Sequence, residues 1–249
     1  VWVKLATVGA ALADMWLIRG SGALTPLFAV ASALVMVAAA MVARRFVRSD
    51  GTKGLGAQQL AAVGGLAVLI AGALAWTVRA EWLPLIGQTA DLTGRTALWE
   101  VSIDWWTRRP AVGHGYLALW SDPEFLVDVE AVRGKVLTSA HSSFIDVLVG
   151  AGLVGLTGLL MIVALGWMGT ATRALTTRTA FGLWPLGAFT FWMVENLTET
   201  IFVSGQFTPV LLGATVVAAT SRPASTGDAD PESPLTERDT ASVATTPPA

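Results

Sequence analysis

The stretch Ala23-Leu24-Thr25-Pro26-Leu27-Phe28-Ala29-Val30-Ala31-Ser32-Ala33-Leu34-Val35-Met36-Val37-Ala38-Ala39-Ala40-Met41-Val42-Ala43 carries no charge. About 20 helical residues cross about 30 Å of hydrocarbon, so this segment reads as a membrane helix. Pro26 falls in its first turn, where a missing amide proton is tolerated. The pattern recurs along the chain. Val1–Ile18 is apolar apart from isolated breaks such as Lys4 and Asp14, and Leu60–Val78, Phe144–Met168, Phe181–Val194 and Ile201–Thr220 read as further spans. The fifth is short, ending just before Glu195. Only helices and closed barrels satisfy the backbone in lipid, and these runs lack the alternation of a lipid-facing strand. The expected fold class is therefore all-α: a polytopic integral membrane helix bundle of about six transmembrane helices with one large extracytoplasmic helical loop.

Composition points the same way. Of 249 residues, 53% are apolar and only 14% charged, against about 25% charged in soluble domains. Eleven Trp accompany one Tyr, as in proteins with many membrane–water boundaries. The net charge is −2 with dispersed basic residues, so no nucleic-acid footprint is present. The absence of Cys removes disulfides, thiolate nucleophiles and Cys-type zinc sites. The first residue is Val, which is read as a fragment or an unusual start codon.

The domain organisation follows. Residues 1–78 hold three spans, 79–143 the large loop, 144–220 three more spans, and 221–249 a tail of Ser, Thr, Pro, Asp and Ala that reads as disordered and cytoplasmic. Arg44, Arg45, Arg48 and Lys53 fall on one side with Arg173, Arg178 and Arg222. The positive-inside rule places that side and both termini in the cytoplasm. The Arg19 turn, the large loop and the Glu195–Ser204 turn then face outward and converge.

Within the loop, Asp91-Leu92-Thr93 offers N-caps for a helix over 94–108. Arg95, Trp99, Ser102 and Trp106 share one face of it. Arg95 lies in the first turn, where free N–H groups and a guanidinium suit a phosphate. The bland alternative is an amphipathic helix on the bilayer surface. Pro110 ends the helix, and Gly113-x-Gly115 permits a tight turn but is weak as a phosphate loop. His141 precedes the fourth span. An imidazole, with an ordinary pKa of about 6.5, can take a hydroxyl proton; a capping or interfacial role is the alternative. Asp146 is an acid one turn inside that span, a functional candidate by default that could support the His141 region. Ser142 is placed for substrate contact or for a helix N-cap. Arg19 is placed to snorkel or to act as a second cation. His114 reads as a loop residue, the Glu195/Glu199 pair as interfacial solvation, and Asp122, Glu124, Asp128 and Glu130 as a solvated loop without metal-ligand spacing.

Taken together, Gly94-Arg95-x3-Trp99, Arg109-Pro110-x2-Gly113-x-Gly115 and Ala140-His141-Ser142-x-Phe144-x8-Gly152-Leu153-Val154-Gly155 resemble the O-antigen ligase/polymerase-like superfamily. The turn Arg19-Gly20-Ser21-Gly22-Ala23-Leu24 resembles a motif that precedes a span there. The resemblance implies a glycosyltransferase of the cytoplasmic (inner) membrane with its active site facing outward. Such an enzyme moves a glycan from an undecaprenyl-pyrophosphate carrier to the hydroxyl of a glycan or lipid acceptor, with no metal, cofactor or nucleotide sugar. By the same resemblance His141 is the general base and Arg95 holds the pyrophosphate. Arg19, Trp99 and Ser142 contact substrate, Ser142 standing where the family commonly has Asn. Members are longer with more spans, and the resemblance covers their C-terminal half. It implies a missing N-terminal half or a partner subunit. Two other readings of function remain beside the ligase: a polysaccharide polymerase of the same superfamily, and a non-catalytic membrane fragment or assembly scaffold. A small transporter is disfavoured, because no matched pair of Gly/Pro-interrupted spans is present.

Overall fold

A computed structural model describes residues 24–47, 56–86, 94–177 and 182–200, together with 179 and 213. The elements are α1 (Leu24–Ala43), α2 (Ala57–Thr77), a single turn α3 (Arg79–Trp82), α4 (Arg95–Thr107), α5 (Pro123–Arg133), α6 (Ser143–Thr176) and α7 (Trp184–Thr198), with short 3-10 turns between. Among the described residues there is no strand, and the protein is a helical membrane bundle. Three helices among the described residues, Thr25–Phe46, Ala57–Thr77 and Ser143–Thr176, are long and apolar enough to cross a membrane. The expected spans over 1–18 and 201–220 lie outside the described residues. The expected fifth span is α7, whose 15 residues fall short of the usual crossing length of about 20.

In the bundle, α7 packs along α1 and against α6, while α6 also covers α2. Where the basic turn Arg44–Phe46 sits, small residues let the backbones approach. Ala40, Ala61, Ala171 and Ala174 form that core with Leu175 and Leu186. Trp167 Nε1 donates to the Ala61 carbonyl at 2.8 Å, and Arg44 Nε donates to the Ala174 carbonyl at 2.5 Å, closing the end of α6. Away from these contacts Leu34, Val35, Leu66, Leu69 and Leu74 stand exposed. That is the surface a helix presents to lipid.

The large loop folds into a second core. Leu98 and Trp105 of α4, Leu119 and Trp120 of a 3-10 turn, Phe125 and Val129 of α5, then Leu137, Ala140 and Val149 close around one another. Phe125 meets Trp105 and Trp120 edge-on, at centroid distances of 5.6 and 4.9 Å, the favoured arrangement for aromatic quadrupoles. Asp122 caps α5, its Oδ1 accepting the Glu124 and Phe125 amides at 2.9 and 3.3 Å. Asp128 accepts Trp105 Nε1 at 2.8 Å. The acidic stretch thus contributes structure.

The two cores meet at a break in α6. Gly152 adopts φ 64°, ψ −160°, a conformation open essentially to glycine alone. The Pro110–Gly115 segment crosses the helix there. His114 and Gly115 donate their amides to the Val149 and Gly150 carbonyls, each at 2.8 Å. In return the Leu153 and Val154 amides donate to the Pro110 and Ala111 carbonyls at 2.9 and 3.1 Å. Four backbone groups at the break, the Val149 and Gly150 carbonyls and the Leu153 and Val154 amides, are thereby paired, as a low-dielectric setting demands. The His114 and Gly115 amides are spent on this crossing and the Gly113 amide on the Arg109 carbonyl, so the turn is no phosphate cradle. The half of α6 after Gly152 is by itself long enough to cross about 30 Å of hydrocarbon. The half before it, with buried Ser143, Asp146, Val149 and Gly150, packs against the loop.

Candidate functional site

Helix α4 starts at Arg95, one residue inside the expected boundary, behind Gly94 at φ 80°. The N-caps expected at Asp91–Thr93 lie outside the described residues. Its buried stripe is Leu98, Ser102 and Trp105, at i, i+4 and i+7, which fixes the helix in a protein core rather than flat on a bilayer. The expected face is divided. Ser102 turns back onto the Leu98 carbonyl at 2.8 Å, and Trp106 Nε1 donates to the Pro110 carbonyl at 3.0 Å. Arg95 and Trp99 point to the end of α7 and the start of α6.

Trp99 Nε1 donates to the Ala140 carbonyl at 2.8 Å, and its ring lies 6.2 Å from that of Trp76 on α2. The other side of the Ala140 peptide is held by Asp146, whose Oδ1 accepts the Ala140 amide at 3.0 Å and Trp120 Nε1 at 2.9 Å. Asp146 Oδ2 accepts the Thr200 hydroxyl at 2.6 Å. This carboxylate is 3% exposed, and its three donors come from three separate segments. His141 follows immediately at φ 52°, a left-handed conformation that histidine adopts more readily than bulkier residues. With Ala140 clamped on both sides, that conformation projects the imidazole out of the loop core.

The end of α7 completes the arrangement. Ser143 donates its amide to the Glu199 carbonyl at 3.2 Å and its hydroxyl to Asn196 Oδ1 at 2.5 Å. The first turn of α6 is thus tied to the last turn of α7. Glu199 then reaches both expected site residues. Arg95 Nη2 donates to Glu199 Oε1 at 2.9 Å, and Arg95 Nη1 donates to the Thr198 carbonyl. His141 Nδ1 lies 3.6 Å from Glu199 Oε2. The three side chains are 22%, 38% and 37% exposed in the order Arg95, His141, Glu199, so all open to solvent on one rim. Burial pushes the Glu199 carboxyl up, but the close approach of His141 and Arg95 and their charges outweigh it, and the net shift is downward.

Arg95 and His141 are therefore brought together, and the group that joins them is one the sequence reading set aside as interfacial solvation. The available signal was the spacing of Glu195 and Glu199 at the end of a span on the same side as the loop. Trp99 is adjacent, with its N–H committed to Ala140. Ser142 is 3% exposed and is the N-cap of α6 without a side-chain cap bond. Arg19 lies outside the described residues, although Thr25 Oγ1 sits 3.1 Å from Thr198 Oγ1, so the chain enters α1 beside this site. His114 Nε2 lies 2.9 Å from the Trp105 carbonyl, the structural role expected for it. Among the described residues, no group of three or more His, Cys, Asp or Glu is arranged to hold a metal.

The O-antigen ligase family model matches residues 6–160. The chain belongs to the O-antigen ligase family. That match spans Arg19, Arg95 and His141 and stops short of Glu199. Among curated proteins, the exopolysaccharide production protein ExoQ of Rhizobium meliloti (strain 1021) is 34% identical over 98 residues. The aligned part is 38% of this chain and 22% of the relative, so the chain spans well under two thirds of the relative it matches. No solved structure matches this family member.

Proposed function

We propose that this chain carries the loop and catalytic centre of a membrane glycosyltransferase that moves a glycan from an undecaprenyl-pyrophosphate carrier to an acceptor hydroxyl. The observation that carries the reading is the convergence of Arg95 and His141, 46 positions apart in the sequence, on the single carboxylate of Glu199. In the reaction, the acceptor oxygen attacks the anomeric carbon while His141 takes its proton through Nε2, the nitrogen turned away from Glu199. The bond from that carbon to the pyrophosphate oxygen breaks, and its electron pair leaves with the pyrophosphate. Charge grows on that oxygen, where the Arg95 guanidinium stabilises it more in the transition state than before reaction. Attack opposite the leaving group inverts the anomeric configuration. Arg19 supplies a second cation for the same group, and Trp99 borders the substrate, while Ser142, expected there too, is buried at the N-cap of α6.

The site faces outward across the cytoplasmic membrane in this reading, because the short loops rich in Arg lie at the opposite end of the spans. The relative's name, exopolysaccharide production, supports a second version in which the acceptor is another lipid-linked repeat and the product a polymer. Helices from an N-terminal half or a partner subunit would complete the lipid groove in either case. In a strain lacking its own enzyme, Arg95→Ala and His141→Ala should each abolish glycan transfer at unchanged membrane levels. Normal products from both variants would sink the reading. A ladder of repeat lengths identifies the polymerase; a single transfer to a different acceptor identifies the ligase.

A further inference from the structure

We propose that Glu199 is a stand-in anion: it occupies Arg95 when the donor is absent, and donor binding hands it over to His141. The inference rests on the transferase reading above. It follows from the way one carboxylate is shared. Arg95 presents a planar fork of N–H donors that a carboxylate or a phosphate engages in the same way. Here one terminal nitrogen is taken by Glu199 Oε1 and the other by the Thr198 carbonyl. A pyrophosphate approaching this edge must displace the carboxylate, and its larger negative charge favours the exchange.

Among the described residues, His141 is placed to receive the displaced group. Glu199 Oε2 already lies 3.6 Å from His141 Nδ1, a few tenths of an ångström beyond a hydrogen bond. The Glu199 backbone cannot follow the displacement, because its amide donates to the Glu195 carbonyl at 2.8 Å and its carbonyl accepts from Ser143. Only the side chain turns. Once it accepts the Nδ1 proton, the imidazole is fixed in the tautomer that leaves Nε2 free to take the acceptor's proton. His141 is held in the same way from below by the clamped Ala140 peptide. Glu199 acts here as a positioning residue. It competes with substrate for Arg95 and assists the base only after substrate has arrived, which reserves the assembled base for the donor-bound state.

This gives two effects of opposite sign for one substitution. With the whole chain in lipid nanodiscs, binding of undecaprenyl pyrophosphate is measured for wild type, Glu199→Ala, Glu199→Gln and Arg95→Ala. Glu199→Ala is expected to bind about three- to tenfold more tightly than wild type, the size of a partly exposed ion pair. Glu199→Gln, which keeps the shape and loses the charge, falls between and serves if the alanine variant does not fold. In membranes active for transfer, both Glu199 variants show a lower donor KM together with a lower kcat. Binding that is unchanged or weaker in both overturns the stand-in role, and tighter binding with unchanged kcat overturns the handover. Unchanged binding in Arg95→Ala overturns the transferase reading itself, so the two failures are distinct.

Discussion

Asp146 holds the peptide in front of His141: its Oδ1 accepts the Ala140 amide at 3.0 Å, from the fourth residue of the helix that follows. The same carboxylate takes Trp120 Nε1 and the Thr200 hydroxyl. It therefore ties the loop core, the His141 turn and the end of α7 at one buried point. Removing it strands three donors, and each buried donor left unpaired costs about 1–3 kcal/mol. Asp146→Ala is expected to lower membrane levels or detergent melting temperature sharply. Asp146→Asn retains the volume and part of the accepting capacity. It should accumulate normally while transfer falls by about tenfold or more, because a misplaced base loses rate before the fold is lost. Wild-type activity in Asp146→Asn would show that the His141 turn needs no such anchor.

The Ala140 peptide has a second anchor. Trp99→Phe removes the indole N–H that reaches the Ala140 carbonyl while keeping an aromatic ring beside Trp76. The expected loss is about 1 kcal/mol, one neutral hydrogen bond, seen as a small drop in melting temperature and a few-fold drop in turnover. Were Trp99 instead a direct substrate contact with no positioning role, the same substitution would raise donor KM and leave stability untouched. A comparison of KM and melting temperature in the one variant separates the roles.

Much of this was legible in the sequence, and the reason differs from element to element. Local signals located α4, since the cap candidates Asp91–Thr93 before it and Pro110 after it bound the helix whatever it packs against. An uncharged run as long as Ala23–Ala43 has few alternatives to crossing a membrane. The partner of Arg95 was not legible, because Glu199 is 104 positions away and no local pattern encodes which acid a distant helix end will present. Glu195 and Glu199 look alike in sequence. In the structure Glu195 is 6% exposed with Oε1 unbonded, whereas Glu199 joins the two site residues. Gly152 was hidden for a different reason. Its surroundings are apolar throughout, so an interrupted helix and a continuous one have the same hydropathy.

Acidification offers a separate check on Glu199. Its folded-state pKa lies below the ordinary value of 4.5 through His141 and Arg95, despite burial. A carboxyl depressed on folding contributes stability that is full above its unfolded pKa and is lost as pH falls through the folded one. Between about pH 6 and the folded value, wild type should therefore lose melting temperature faster than Glu199→Gln, which has no proton to gain. At still lower pH the two curves run parallel. Parallel curves throughout the range would mean that Arg95 and His141 do not stabilise the ionised carboxylate.

Orientation can be tested without chemistry. Reporter fusions near Asp122 should read outside the cytoplasm and fusions near Asp50 inside, as the Arg-rich short loops require. The reverse pattern would place the Arg95 rim in the cytoplasm. An outward-facing transfer from a lipid carrier would then be impossible, whatever the mutants at His141 do.

The glycine crossing makes the sharpest demand on sequence. A Cβ on Gly113 would stand 2.6 Å from the Val149 oxygen, and one on Gly152 would strike the Ala111 peptide. Both residues also hold positive φ, at 66° and 64°. Strain of this kind costs about 1–3 kcal/mol per residue before any clash is counted, and here the colliding atoms are backbone on both sides. Gly113→Ala and Gly152→Ala are each expected to remove the protein from membranes or to lower its melting temperature severely. Because the two glycines belong to one crossing, the double variant should cost less than the sum of the singles. Once the loop has lifted off α6, the second methyl meets nothing. Full additivity would mean that each glycine serves a separate contact, and that the loop and the break in α6 are not one unit.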